Sequence, residues 1–324
     1  MKLDRSTIDR FLEPRLLRAL ARLPLMSRRV VEGAMVGTHR SPFKGFSTEF
    51  AEHREYVVGD DLRHLDWKVF SRSERYYIKR YEENTNLRGY VLLDCSASMA
   101  FPRPTLSAAS RLKTRLRARR SADVGDGSPR MSKYEYACHL AAGLSYVLIR
   151  QQDPVGLFVF NDELVAQLPA QRSLSHLRRM LRTIDEIAPT SRTQTGKALT
   201  AVAQQLKRRG LLILISDLLD EPDRIVNALA NFRHRGHDAI VIQVLDRDEL
   251  VFPHDRVVTL RDMETHERIV IDGSEIAREY SRELGAFLDR YKKACFEHNF
   301  DYVLASTATP YDSLLTALLS RRKR

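Results

Sequence analysis

A chain of 324 residues, 43% apolar and 29% charged, is long enough to bury a sizeable core and has the composition of a folded rather than a disordered or fibrous protein. Its longest apolar runs, such as Leu211 to Ile215, fall far short of the roughly 18 residues that a membrane-spanning helix needs, so no transmembrane segment is expected. The net charge of +11 is concentrated: Phe101 to Lys133 carries nine basic residues against two aspartates, and Arg321-Arg322-Lys323-Arg324 supplies the rest, which leaves the remainder near neutral and argues against a general nucleic-acid binder.

The first residues, Met1-Lys2-Leu3-Asp4-Arg5, are interrupted by charge too often to form the apolar core of a secretory signal, and a cytoplasmic location is expected. Cys95, Cys138 and Cys295 are odd in number and widely spaced, which speaks for buried thiols rather than a disulfide framework or a zinc site. Ser6 and Asp9 have the spacing of a capping box, and Ile8, Phe11, Leu12, Leu16 and Leu20 follow at helical intervals, with Pro14 marking a kink or restart. Such a helix either lies on a membrane or partner or packs on its own domain, the commoner fate.

From Phe46 to Glu83 the pattern shortens to strand-like runs. Trp67-Lys68-Val69-Phe70 and Tyr76 to Tyr81, separated by Ser71-Arg72-Ser73-Glu74-Arg75, predict a hairpin. Ahead of them lies a segment dense in charge, with Arg54, Tyr56, Gly59, Asp60, Asp61, Arg63, Asp66 and Trp67. By itself it reads as a turn in which arginines pair with aspartates.

Tyr90-Val91-Leu92-Leu93 is a buried strand that ends in Asp94-Cys95-Ser96-Ala97-Ser98, a carboxylate and two hydroxyls suited to a small divalent cation. The basic segment after it, about 102–132, lacks apolar periodicity and reads as a mobile insertion. Helices are then predicted over Tyr134–Gln152, Leu174–Glu186, Gly196–Arg209, Pro222–His234 and Ser274–His298. Strands are predicted over Val155–Phe160, with an antiparallel return at Leu164–Leu168, and over Leu211–Ser216, Ala239–Leu245 and Asp301–Leu304. A hairpin is expected through Val257–Leu260 and Arg268–Ile271. This alternation implies an α/β fold with a doubly wound, mostly parallel sheet, preceded by a helical and hairpin region. The expected divisions are 1–42, 43–88 and 89–324.

Open parallel sheets bind ligands where strand order reverses. If the strands ending at Leu93 and Ser216 flank that reversal, Asp94 and Asp217 emerge side by side, and Thr193 precedes the helix leading into the second strand. These three pieces resemble the metal-ion-dependent adhesion site of von Willebrand factor A domains. The resemblance implies magnesium, or manganese, on Asp94, Ser96, Ser98, Thr193 and Asp217, with a partner's acidic side chain as a further ligand. The pattern Arg-x-Tyr-x-x-Gly-Asp-Asp-x-Arg-x-x-Asp-Trp, followed by Asp-x-Ser-x-Ser-Met, is similar to the family known as domain of unknown function 58. That resemblance runs from about Phe43 to the carboxyl end, through Phe300-Asp301-Tyr302 and Thr309-Pro310-Tyr311-Asp312. It implies a MoxR-type AAA+ ATPase, or a client of one, as partner.

The expected function is therefore a non-enzymatic, metal-dependent protein-interaction module. A magnesium-dependent phosphoryl or ester hydrolase is the alternative, since Asp94 ends a strand much as an aspartyl-phosphate nucleophile does. Against it, Ser96 stands where such enzymes carry a second carboxylate. A third class, an electrostatic binder of nucleic acid or acidic surfaces, rests on the basic segment and the basic end. Oligomeric state is not legible.

Overall fold

The structure, a computed structural model, describes residues 10–20, 23–25, 48–57, 65–83, 88–102, 131–190, 194–251, 257–261 and 268–322. Two compact units are resolved, one formed by residues 29–86 and one by the rest of the chain.

In chain order, α1 spans Pro14–Leu20, β1 Thr48–Glu55, α2 Trp67–Ser73 and β2 Tyr77–Glu83. The smaller unit contains β1, α2 and β2. Its two strands pair antiparallel, Thr48 opposite Glu83 and Glu55 opposite Tyr77. The expected hairpin between residues 67–70 and 76–81 does not form, because Trp67–Ser73 is helical. Asp66 starts that helix by accepting the backbone N–H groups of Lys68 at 3.0 Å and Val69 at 3.3 Å. Glu74, left-handed at φ 54°, closes it with an N–H donated to the Phe70 carbonyl. Two local caps thus outweigh the strand preference of Trp, Val and Phe.

In the larger unit, β3 spans Gly89–Asp94, α3 Lys133–Arg150, β4 Val155–Phe160, β5 Leu164–Gln171, α4 Leu174–Glu186 and α5 Thr195–Gln205. There follow β6 (Leu211–Ser216), α6 (Pro222–His234), β7 (Asp238–Leu245) and the single turn α7 (Arg247–Leu250). The chain continues through β8 (Val257–Arg261), β9 (Arg268–Asp272), α8 (Gly273–Glu297), β10 (Asp301–Ser306) and α9 (Tyr311–Arg322). The predicted elements match these within a few residues, whereas α7 and α9 were not expected.

Six strands form one sheet in the order β10-β7-β6-β3-β4-β5, all parallel except β5, which runs antiparallel to β4. The doubly wound, mostly parallel sheet expected from the sequence is the one observed. Side chains alternate across it. Val91, Leu93, Ile213, Ile215, Ile240 and Ile242 enter a core with α1, α3, α4 and α9, while Leu92, Leu212, Leu214 and Val241 enter a second core with α5, α6 and Tyr291 of α8. Each such buried aliphatic side chain contributes roughly 1.5–3 kcal/mol. Of the amino-terminal apolar stripe, Phe11, Leu12, Leu16 and Leu20 are buried in the first core, whereas Ile8 and the expected capping box of Ser6 and Asp9 lie outside the described residues.

Candidate functional site

The chain leaves β3 towards β4 and β5 on one side, then returns to β6 on the other, so strand order reverses between β3 and β6. These two strands are parallel neighbours, Leu93 beside Ile215. Their carboxyl ends therefore deliver Asp94 and the pair Ser216-Asp217 to one crevice, and all three side chains are completely buried.

Asp94 turns the chain sharply by accepting the Ser96 N–H on Oδ1 at 2.8 Å. Ser96 then precedes a single 3₁₀ turn, Ala97–Ala100, which brings the Ser96 and Ser98 hydroxyls to 3.1 Å from each other. The other oxygen of Asp94 accepts the Ser216 hydroxyl at 2.5 Å and, at the long distance of 3.5 Å, the hydroxyl of Thr195. Backbone bonds from Cys95 N–H to Phe160 O at 2.7 Å and from Thr190 N–H to Cys95 O at 3.0 Å pin this turn to the end of β4 and to the approach of α5.

Asp217 is held differently. Its Oδ1 accepts the Leu219 N–H at 3.2 Å, and its Oδ2 accepts Lys133 Nζ at 2.8 Å. The same ammonium donates to Glu249 of α7 at 2.6 Å, and the lysine side chain is 0% exposed. Glu249 is in turn fixed by α7, because its Oε2 accepts the Asp246 N–H at 2.7 Å in a capping box. Behind Asp217, Gln243 donates to its carbonyl at 2.9 Å and is itself held by Tyr302.

The electrostatics follow from this division. Burial, and then the charge of Asp217, push the Asp94 carboxyl up to about 7, although hydrogen bonds from Ser216 and Ser96 pull the other way. Burial disfavours the Lys133 ammonium, but the charges and hydrogen bonds of Asp217 and Glu249 outweigh it and raise its pKa. Among the described residues, no cationic side chain pairs with Asp94.

Of the five expected site residues, Asp94, Ser96, Ser98 and Asp217 meet at this crevice, while Thr193 lies outside the described residues. Thr195, at the start of α5, is the threonine seen beside Asp94. Of the amino-terminal signature, Gly59, Asp60, Asp61 and Arg63 lie outside the described residues. Arg54 is in β1, the Tyr56 N–H donates to Tyr76 O, Asp66 caps α2, and Trp67 is 64% exposed.

Sequence reasoning missed Ser216, Thr195, Lys133 and Glu249. Ser216 could have been found, since it sits directly before Asp217 at the strand end. Lys133 and Glu249 lie 116 residues apart and carried no pattern linking them. Chemically the crevice offers two carboxylates and a pair of hydroxyls, all hard oxygens. Among the described residues no group of three or more histidine, cysteine or acidic side chains is placed to hold a metal ion, so an ion here would depend on hydroxyl oxygens beside the two carboxylates.

The family model described as "Protein of unknown function DUF58" matches residues 52–114 and 105–286, well over half of the chain. The chain belongs to this family. The chain is also similar to the uncharacterized proteins Rv1480 of Mycobacterium tuberculosis and Mb1516 of Mycobacterium bovis. Each is 27% identical over 300 residues, covering 92% of this chain and 82% of the relative. Similar solved structures include BatB from Bacteroides thetaiotaomicron, at 16% identity and a TM-score of 0.41, covering 73% of this chain and 98% of that one. The VWA domain of SpRpn10 is similar at 9% identity and a TM-score of 0.36, with 71% and 93% covered. Among the described residues, no helix is long and apolar enough to cross a membrane.

Proposed function

We propose that this DUF58 protein is a non-enzymatic interaction module whose crevice holds a divalent cation, magnesium or manganese, and uses it to capture an acidic side chain of a partner. The observation that carries this reading is Asp94. It is a completely buried carboxylate at the sheet's reversal, beside two clustered hydroxyls and facing a second carboxylate, with no cationic side chain of the described residues paired to it. A buried charge so placed is costly unless a cation compensates it. The donors fit a small hard ion: Asp94, Ser96 and Ser98 on one turn, with Thr193 as a further candidate and Asp217, already engaged by Lys133, across the crevice. Such an ion would supply the positive charge that offsets desolvation of an incoming carboxylate.

The chain's own residues do the rest. Ser216 and the Ser96 N–H fix the orientation of Asp94, and the 3₁₀ turn presents the two hydroxyls. In support of a binding role, Ser96 and Ser98 bond to each other, not to a histidine base as an activated nucleophile would. The partner proposed is a MoxR-type AAA+ ATPase or a client that it remodels.

The test is capture of such an ATPase with and without magnesium, comparing the native chain with Asp94→Asn. Magnesium-dependent capture lost in the variant, with unchanged circular dichroism, is the expected result. Capture at native affinity by the variant in a chelator would move recognition away from the crevice.

A further inference from the structure

Lys133 is an unusual residue for its position. It is the first residue of α3, where the helix macrodipole is positive and a cation is disfavoured. The helix does not need it, because Ser132 and Glu135 already form a capping box there. Its side chain is 0% exposed, and burying an ammonium is costly unless good partners surround it. Those partners come from two separate elements, Asp217 at the end of β6 and Glu249 in α7. Glu249 is held in place by the Asp246 N–H and by Tyr280, whose hydroxyl donates to its carbonyl at 2.5 Å.

Asp94 and Asp217 face the crevice, Glu249 stands on the far side of Lys133, and the one tethered cation is not shared evenly. It binds Asp217 and Glu249, while Asp94 is left with hydroxyl and backbone donors. A divalent ion held beside Asp94 would face a second carboxylate whose charge Lys133 already offsets, with that ammonium as a like charge behind it.

We propose that Lys133 is the crevice's resident counter-cation: by occupying Asp217 and Glu249 it weakens the hold on a divalent ion and confines that ion to the Asp94, Ser96 and Ser98 side. This deepens the cation-site reading above and rests on it. Lys133 is a positioning residue, acting through Asp217. A lysine that served merely as a strut between β6 and α7 would affect stability and leave cation affinity alone.

The experiment is magnesium titration of the full chain by calorimetry, with thermal melts alongside. Lys133→Met alone leaves Asp217 and Glu249 buried and unpaired, so it is accompanied by Lys133→Met/Glu249→Gln, which removes one charge of each sign and keeps the fold tolerable. The double variant is expected to bind magnesium at least about tenfold more tightly than the native chain, since the repelling ammonium is gone and Asp217 is free to help. Glu249→Gln alone, which leaves Lys133 wholly to Asp217, is expected to bind more weakly than the native chain. Asp94→Asn should abolish binding in either background. Native binding that Asp94→Asn removes, with no gain in the double variant, overturns the role of Lys133 and leaves the cation site standing. Absence of magnesium binding in every protein overturns both. Binding by the double variant and not by the native chain would overturn cation capture by the native crevice and leave Lys133 as the group that excludes the ion.

Discussion

His139 shows how one buried side chain can make this fold sensitive to acid. It lies on α3 with its ring stacked on Tyr311 at 4.4 Å and edge-on to Phe11 at 5.3 Å, and its Nδ1 faces the Phe11 carbonyl at 3.4 Å. Burial pushes its pKa down to about 4; the Phe11 carbonyl opposes that shift and the nearby charge of Arg10 adds to it. Arg10 is itself engaged by Glu135 and Asp185. The folded protein therefore keeps the imidazole neutral where the unfolded chain protonates it near 6.5. The associated stability is complete above pH 6.5 and is lost as pH falls through about 4, amounting to about 3 kcal/mol. His139→Phe keeps a ring in the same space and removes the titration, so its urea midpoint should fall less between pH 6.5 and pH 4 than that of the native chain. A parallel fall in the two proteins would assign the acid sensitivity to other groups. Legibility at this scale depends on chemistry that repeats along the sequence. Asp94, Ser96, Ser98 and Asp217 announce themselves because polar residues abruptly end apolar strands. Lys133 and Glu249 do not, because a lysine before a helix and a glutamate in a polar turn have the pattern of solvated surface.

At the scale of elements, α2 shows capping overriding intrinsic preference. Its side-chain cap is Asp66, a residue of the signature that the sequence singled out for its charge. Asp66→Ala removes the acceptor for the Lys68 and Val69 N–H groups and should cost roughly 1 kcal/mol, up to about 2. Asp66→Asn, which retains an acceptor oxygen, should cost less. Trp67 is the chain's one tryptophan and begins this helix, so its fluorescence reports directly on the smaller unit during urea unfolding. An unchanged tryptophan transition in Asp66→Ala would show that the cap does not hold α2. The central strands were legible because they are short continuous apolar runs between helices of strong periodicity. The strand-like reading of Trp67 to Phe70 failed because four residues contain no helical period, and the deciding signal was a single aspartate before them. The helix α9 went unrecognised despite Leu315, Leu318 and Leu319, which pack into the first core. The basic residues Arg321 and Arg322 drew its end towards a reading as a charged tail, whereas Arg322 is buried against Asp238 and Asp301.

For the whole molecule, the charge distribution and the fold meet at the segment between Phe101 and Lys133. Residues 103–130 lie outside the described part of the chain, but their two flanks are joined, since the Lys133 N–H donates to the Phe101 carbonyl at 2.9 Å. The end of the 3₁₀ turn and the start of α3 therefore lie side by side, and the two segments of the family match overlap within this stretch. A segment whose ends already touch can be shortened without pulling on either flank, and a shorter loop lowers the entropy cost of closure. Replacing residues 103–130 by a short Gly-Ser linker should thus leave the thermal midpoint within a few degrees of native. Ser132 and Glu135 still cap α3, and Lys133 still reaches Asp217 and Glu249, so magnesium affinity should be unchanged as well. What should change is the electrostatic footprint: the replacement removes eight basic residues and two aspartates and lowers the net charge from +11 to +5. Retention on heparin should then fall to a lower salt concentration, since it tracks the number of lysines and arginines that displace counterions. Loss of cooperative unfolding on replacement would instead make the segment part of the folded core. Unchanged heparin retention would place the anion-binding surface on the folded body or at the basic carboxyl end.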